Sequence, residues 1–105
     1  MPAYVVVQID VRDPERYERY KALAAPSVAA GGGRYIARGG VTETLEGDWS
    51  PTRLVILEFP TMQQARDWYG SAQYREAVAV RQGCADVQMV LTEGYPAPAG
   101  PTVQI

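Results

Sequence analysis

The side chains of this chain that could act on a small molecule are charged and aromatic, because histidine is absent and cysteine occurs once. Without histidine, a single chain lacks the usual general base and the usual metal ligand, and one cysteine excludes an internal disulfide. A single chain therefore cannot use Ser/His/Asp, Cys/His or His-based zinc chemistry. Any metal would need a cluster of carboxylates, and no suitably spaced cluster is found, so we expect neither a metal nor a cofactor.

Two charged residues fall among apolar, strand-like sequence, where an unpaired charge is costly. They are Arg38 and Glu58, and one interpretation is a structural ion pair between them. The alternative is a ligand site in which Arg38, with Arg53 or Arg81 nearby, orients a carboxylate or an enolate. In that site Asp10 or Glu58 would accept a proton with a raised pKa, which makes these two carboxylates the catalytic candidates.

Two tryptophans and a tyrosine complete the candidate ligand-binding set. Trp68 and Tyr69 lie on a predicted helical stripe, which favours core packing, with a pocket wall at the edge of the sheet as the alternative. Trp49 falls at the tip of a predicted hairpin, where it is a dimer contact, a pocket lid or a simple packing residue. The ligand-binding candidates are therefore Arg38, Trp49, Arg53, Trp68, Tyr69 and Arg81.

Four strands must position these side chains. β-branched and alternating sequence predicts strands at 4–11, 34–42, 53–59 and 86–95. Gly39 and Gly40 fall inside the second strand and suggest a bulge or a close backbone approach. Turn-forming residues predict a long hairpin connection over 43–51.

Two helical segments separate the strands. The first begins at Pro14, should kink or break at Pro26, and ends at the glycines 31–33. The second begins at a capping box over 61–64 and is interrupted at Ser71, which caps a continuation. Each helix therefore follows one strand and precedes another.

The resulting order, strand, helix, strand, strand, helix, strand, is that of the ferredoxin-like α+β fold. Right-handed crossovers place both helices on one face of a four-stranded antiparallel sheet. The other face mixes apolar residues with polar ones. It is too apolar to be fully exposed to solvent and too polar to form an ordinary hydrophobic core. Two such faces packed together would form a homodimeric α/β barrel. The polar members of this open face are Gln8, Asp10, Arg34, Arg38, Glu58, Gln88 and Thr92.

Several motifs of the chain resemble one known family. The glycine run GGGRYIARGG, the turn LEGDW, the strand end EFP and the helical pair WY occur in order over about residues 3 to 95. This pattern is similar to the domain of unknown function 1330 family, within the dimeric α/β-barrel superfamily. The resemblance implies a ferredoxin-like fold and a homodimer, and no established activity. The superfamily also holds cofactor-free monooxygenases, lactone isomerases and haem-handling enzymes, and the missing histidine argues against the haem and His-dependent versions.

Composition bounds the remaining function classes. The 105 residues fit one domain, predicted over 1–95, followed by a proline-rich tail over 96–105 that is typical of a linker or a flexible end. The net charge of −2, with both signs dispersed, argues against a nucleic-acid or an anionic membrane surface. No apolar run approaches a membrane span, and the predicted location is cytoplasmic.

Two hypotheses about function remain. In the first, the dimer binds or transforms a compact, partly apolar acid or carbonyl compound in a pocket between sheet and helices. In the second, it is a structural or interaction module whose polar sheet face only fixes the register of the dimer. The two differ in whether Gln8, Asp10, Arg38 and Glu58 converge on a cavity or pair with neighbours.

Overall fold

The strands and helices follow one another in the predicted order, and the second helical segment is divided in two. The computed structural model describes residues 1–96, so the predicted tail lies outside the described residues apart from Pro96. Within the described residues the elements are β1 (Ala3–Val11), α1 (Pro14–Ala30), β2 (Arg34–Arg38), β3 (Leu54–Phe59), α2 (Met62–Gly70), α3 (Ala72–Arg81) and β4 (Ala85–Glu93). The sheet is antiparallel with strand order β2-β3-β1-β4, which confirms the ferredoxin-like α+β fold.

Helix α1 begins and ends where the sequence predicts, but it does not break at its proline. The Asp13 carboxylate accepts a hydrogen bond from the Arg16 backbone N–H at 3.2 Å and caps the first turn. The helix continues through Pro26 to Ala30, so the predicted interruption is wrong, and the alternative of a kink stays a prediction. Proline leaves the carbonyl four residues earlier without its partner, and that residue, Ala22, is exposed, so water can satisfy the carbonyl.

The second helical segment divides into α2 and α3 as predicted. The Thr61 hydroxyl accepts a hydrogen bond from the Gln64 backbone N–H at 3.1 Å, and the Ser71 hydroxyl accepts one from that of Tyr74 at 3.2 Å. Two successive N-caps therefore start two short helices at an angle set by Ser71. None of the helices within residues 1–96 has the length and apolar character needed to cross a membrane.

The core lies between the helices and one face of the sheet. Alternate residues of β1 and β3 point to the helices and are buried, which follows from the two-residue period of a strand. The helices add large aromatic side chains, including the fully buried Tyr74. The strand residues of this core are Val5, Val7, Ile9, Val55, Leu57 and Phe59.

A β-bulge in β2 changes the face on which Arg38 lies. Tyr35 pairs with Leu57, but Ala37 pairs with Ile56 and Arg38 with Val55, so one extra residue interrupts the alternation. Directly paired residues share a face, and Val55 is a buried core residue, so Arg38 lies on the helix side. The prediction that Arg38 belongs to the open face is therefore wrong.

Strand β2 also ends earlier than predicted, and a long exposed connection follows. Gly39 takes a φ of 73°, which takes the chain out of β geometry at Arg38 rather than at Thr42. Every residue from 41 to 50 is exposed, and we call this segment the arm. Its two sides are joined by hydrogen bonds from the Thr42 hydroxyl to the Pro51 carbonyl at 3.3 Å and from the Thr44 hydroxyl to the Trp49 carbonyl at 2.8 Å.

Candidate functional site

A cavity of about 30 Å³ lies between the sheet and helix α1, on the side of β2. Its walls are aliphatic and aromatic, and its charged residues are all cations. Such a site combines apolar contact area with positive charge, which suits an organic anion. The aromatic lining consists of Tyr17, Tyr20, Tyr35 and Trp68, and the cations are Lys21, Arg38 and Arg53.

The two arginines contact tyrosines rather than acids. The Arg38 guanidinium lies over the Tyr35 ring, 4.3 Å from its centroid, and the Arg53 Nε donates to the Tyr17 hydroxyl oxygen at 3.2 Å. Neither arginine forms an ion pair with any acidic residue in the described part of the chain. Since Tyr17 accepts from Arg53, its own hydroxyl hydrogen can be donated to a ligand.

Lys21 differs from the two arginines because it already has an acidic partner. Its Nζ lies 2.8 Å from the Glu18 carboxylate, one turn away on the exposed side of α1. Much of its positive charge is thus compensated at the mouth of the cavity. Arg38 and Arg53 are therefore the cations with charge available for a ligand.

Gly39 leaves the space that the Arg53 guanidinium occupies. A Cβ atom at position 39 would lie 2.2 Å from the Arg53 Nη1, which is too close for any real contact. The Gly39 backbone N–H also donates to the Leu54 carbonyl at 2.9 Å, which holds this close approach in place. The close backbone approach predicted from the Gly39-Gly40 pair is confirmed at Gly39.

Polar contacts behind the cavity connect Tyr20 of its wall to Tyr74 and Arg81. The hydroxyls of Tyr20 and Tyr74 are 3.0 Å apart, and the Arg81 Nη1 donates to the Tyr74 hydroxyl at 3.0 Å. Burial raises the pKa of Tyr20 far above its usual range, so this hydroxyl ionises less readily than that of a solvated tyrosine. Arg81 does not line the cavity. It donates to Tyr74, whose hydroxyl in turn contacts that of the wall residue Tyr20.

The two catalytic candidates lie outside the cavity. Glu58 is on the open face, where its carboxylate accepts a hydrogen bond from the Arg34 Nε at 2.8 Å. Hydrogen bonds from Arg34 and then from Tyr4 hold the pKa of Glu58 below its usual value, so the predicted raised pKa is wrong. Arg34 also replaces Arg38 as the ion-pair partner, because strand register places Arg34 opposite Glu58. Asp10 accepts a hydrogen bond from the Thr52 hydroxyl at 2.5 Å.

The Glu58 carboxyl should titrate below its ordinary value of 4.5. A group whose pKa is lowered by folding contributes stability above its unfolded pKa and loses that contribution as the pH falls through its folded pKa. We expect Arg34→Met to move the Glu58 pKa upward, as measured by NMR titration of the side-chain carboxyl. Arg12→Met is the matched control, because Arg12 pairs with Asp86 elsewhere. An unchanged Glu58 pKa in Arg34→Met would remove Arg34 as the cause.

The three aromatic candidates have three different environments. Trp68 is 3% exposed, and its Nε1 donates to the Ser27 hydroxyl at 3.0 Å, so it is both a core residue and a cavity wall. Tyr69 is 47% exposed and faces a separate groove. Trp49 donates from its Nε1 to the Gln8 side-chain oxygen. It therefore lies against the open face of the sheet, away from the cavity.

Sequence reasoning did not select Lys21 and Tyr35 as site residues. Tyr35 was detectable in part, because alternation along β2 places it on the helix side. Lys21 carried no signal beyond its position on α1, since a solvated lysine and a cavity-mouth lysine have the same sequence pattern. Within the described residues, no group of three potential metal ligands occurs.

The fold and the cavity define a ferredoxin-like α+β protein with a cationic, aromatic chamber between sheet and helices. The chain belongs to the domain of unknown function family DUF1330, whose family model matches residues 2–95. This confirms the resemblance inferred from the motifs. A comparison with curated proteins found no match.

Several solved structures share the fold. A protein of unknown function from Rhodopseudomonas palustris is 21% identical, with a TM-score of 0.74 over 91% of this chain and 84% of the other. SnoaB, a cofactor-independent oxygenase from Streptomyces nogalater, is 11% identical, with a TM-score of 0.63 over 94% and 98%. A dimeric ferredoxin-like protein of unknown function from Thermobifida fusca is 16% identical, with a TM-score of 0.62 over 88% and 90%.

Proposed function

We propose that this protein binds a compact organic anion, a carboxylate or an enolate with a partly apolar body, in the helix-side cavity. One observation carries the proposal. Two guanidinium groups, those of Arg38 and Arg53, line an aromatic cavity, and neither has an acidic partner among residues 1–96. Guanidinium groups match planar oxyanions in geometry, and a hydrogen bond to a charged group contributes about 1.5–3 kcal/mol.

The size of the cavity determines how such a ligand would be held. A volume of about 30 Å³ accommodates roughly two water molecules. The anionic group would therefore lie at the mouth, between the two guanidiniums and the Tyr17 hydroxyl. Its apolar part would enter as the exposed Arg38 side chain moves away from the Tyr35 ring.

Binding is better supported than catalysis. Proton abstraction needs a base within hydrogen-bond reach, and no carboxylate of residues 1–96 lines the cavity. Asp10 and Glu58 are engaged by Thr52 and Arg34 on other surfaces. A cofactor-free enzyme is the second form of the proposal. The description of SnoaB as a cofactor-independent oxygenase supports it at the level of fold. In such an enzyme the two guanidiniums would stabilise the negative charge of an enolate.

The test compares two probes of nearly the same shape, the anion 2-naphthoate and the neutral 2-naphthamide. We expect 2-naphthoate to raise the thermal unfolding midpoint, with a stabilisation of about 2.7 kcal/mol at a hundredfold its Kd. The amide should have little effect. Arg38→Met and Arg53→Met should each weaken 2-naphthoate binding by roughly 10- to 100-fold, since each removes one charged hydrogen-bond donor.

Arg34→Met is the matched control for those variants. It removes the same type of side chain from the open face, where it pairs with Glu58 and not with the cavity. Binding of 2-naphthoate should be unchanged in this variant. Equal stabilisation by the amide, or full binding in Arg38→Met and Arg53→Met, would contradict an anion site at the cavity.

We also propose that the open face of the sheet forms a homodimer, and this is where the interaction-module hypothesis has support. Val90 and Ile36 are exposed there, and exposed apolar area of this kind favours association. Glu58, Gln8 and Asp10 pair with neighbouring side chains rather than converging on a cavity. Such hydrogen-bonded pairs can fix the register of the dimer. The mass of the protein in solution tests whether it is a dimer.

The cytoplasmic location stays a prediction.

A further inference from the structure

The arm, residues 41–50, presents apolar side chains to solvent although two threonine hydroxyls of one side donate to backbone carbonyls of the other. Leu45 at its tip is 92% exposed. The arm also carries three acidic residues and no basic one. A segment that is both ordered and apolar at its tip is expected to have a contact surface. The acids are Glu43, Glu46 and Asp48.

A groove of about 350 Å³ runs between α2 and β4, and its charge is opposite to that of the arm. Its floor is apolar, and Arg66 lies at its rim. Arg75 lies beside it, with its guanidinium 4.3 Å from the centroid of the Tyr69 ring. Neither arginine forms an ion pair with an acid in the part of the chain that the structure describes. The floor consists of Val5, Ala65, Trp68, Tyr69, Met89 and Leu91.

We propose that the arm of one subunit docks in the α2–β4 groove of a second copy of this chain. The inference rests on the proposed homodimer and adds a second contact to it. Leu45 would lie on the apolar floor near Tyr69, and the arm acids would face Arg66 and Arg75. The arm and the groove are therefore complementary in charge, and both are apolar where they would touch. This complementarity favours a second copy of the chain over an unrelated partner.

The topology explains why the partner is a second copy. The arm leaves the sheet at β2, whereas the groove borders β4 at the opposite edge. Trp49 anchors the base of the arm to Gln8 on the open face, so the arm is continuous with the proposed dimer surface. When two such faces pack about a twofold axis along the strands, the β2 edge of each copy lies beside the β4 edge of the other. Each arm then reaches the partner's groove.

Disulfide trapping tests this contact in the full chain. The double variant Leu45→Cys with Tyr69→Cys is oxidised with oxidised glutathione, and covalent dimer is measured on a non-reducing gel. We expect most of the protein to become covalent dimer. Leu45→Cys with Ala79→Cys is the matched control, because Ala79 is exposed on α3 away from the groove. The single variants report any reaction of the buried Cys84.

The solution mass, measured first, separates the two proposals. A dimer in which the Leu45–Tyr69 pair does not cross-link, or cross-links no better than the Leu45–Ala79 control, overturns the arm contact and leaves the sheet-face dimer standing. A monomer overturns both. As a second measurement, Glu43→Lys, Glu46→Lys and Asp48→Lys combined should raise the dimer Kd at least tenfold. An unchanged dimer Kd in this variant would also overturn the proposal.

Discussion

Replacing Trp68 by alanine should lower the free energy of unfolding by about 3–5 kcal/mol, the usual loss for a large aromatic core residue. Trp68 is 3% exposed, and its ring centroid lies 5.2 Å from that of Phe59 and 4.2 Å from that of Tyr74. The substitution also leaves the buried Ser27 hydroxyl without its tryptophan donor. Urea unfolding monitored by far-UV circular dichroism measures the change.

The neighbouring residue supplies the control for this prediction. Tyr69→Ala removes an aromatic ring of similar size from the same helix, but Tyr69 is 47% exposed. We expect it to lower the free energy of unfolding by only about 1 kcal/mol, measured at the same protein concentration. Equal losses for the two variants would show that Trp68 is not a core residue. If Trp68→Ala fails to fold, Trp68→Phe should fold with a smaller loss.

Replacing Gly39 by alanine should strain the backbone and disturb the proposed anion site. A φ of 73° is unfavourable for an L-residue by roughly 1–2 kcal/mol. The new Cβ would also displace the Arg53 guanidinium, whose Nη1 lies 2.2 Å from the Cβ position. We therefore expect 2-naphthoate to bind at least tenfold more weakly, in addition to a lower unfolding midpoint.

Two other glycines separate these effects. Gly47 has a φ of 86°, and no heavy atom of residues 1–96, its two chain neighbours apart, lies within 4 Å of its Cβ position, so Gly47→Ala should show only the backbone effect. Gly40 has neither the positive φ nor a close neighbour, so Gly40→Ala should show neither effect. If Gly39→Ala binds 2-naphthoate as Gly47→Ala does, Gly39 has no role in positioning Arg53.

The fold was predictable because alternation in the strands is a local signal. Val5, Val7 and Ile9 are apolar at every second position, and the structure buries all three. The N-caps at Thr61 and Ser71 were predictable for the same reason, since a cap needs only residues within one turn.

The site was predictable only in part, because its geometry depends on strand register. The β2 bulge falls between Tyr35 and Ala37, where no glycine or proline marks it. One extra residue moved Arg38 to the other face and left Arg34 as the partner of Glu58. A one-residue change of alternation reverses every assignment beyond it. The proposed arm contact depends on a second chain, which no local pattern of one chain describes.

The connection between β2 and β3 can change in length without moving the two strands that it joins. Arg38 and Arg53 flank one connection, and the Gly39 N–H to Leu54 carbonyl bond of 2.9 Å closes that connection where it leaves the sheet. The backbone positions from which the two guanidiniums extend are therefore held at the sheet, whatever the length of the loop. Insertions or deletions beyond this closure would alter the proposed arm contact while leaving the proposed anion site in place. The two proposed properties can thus change independently.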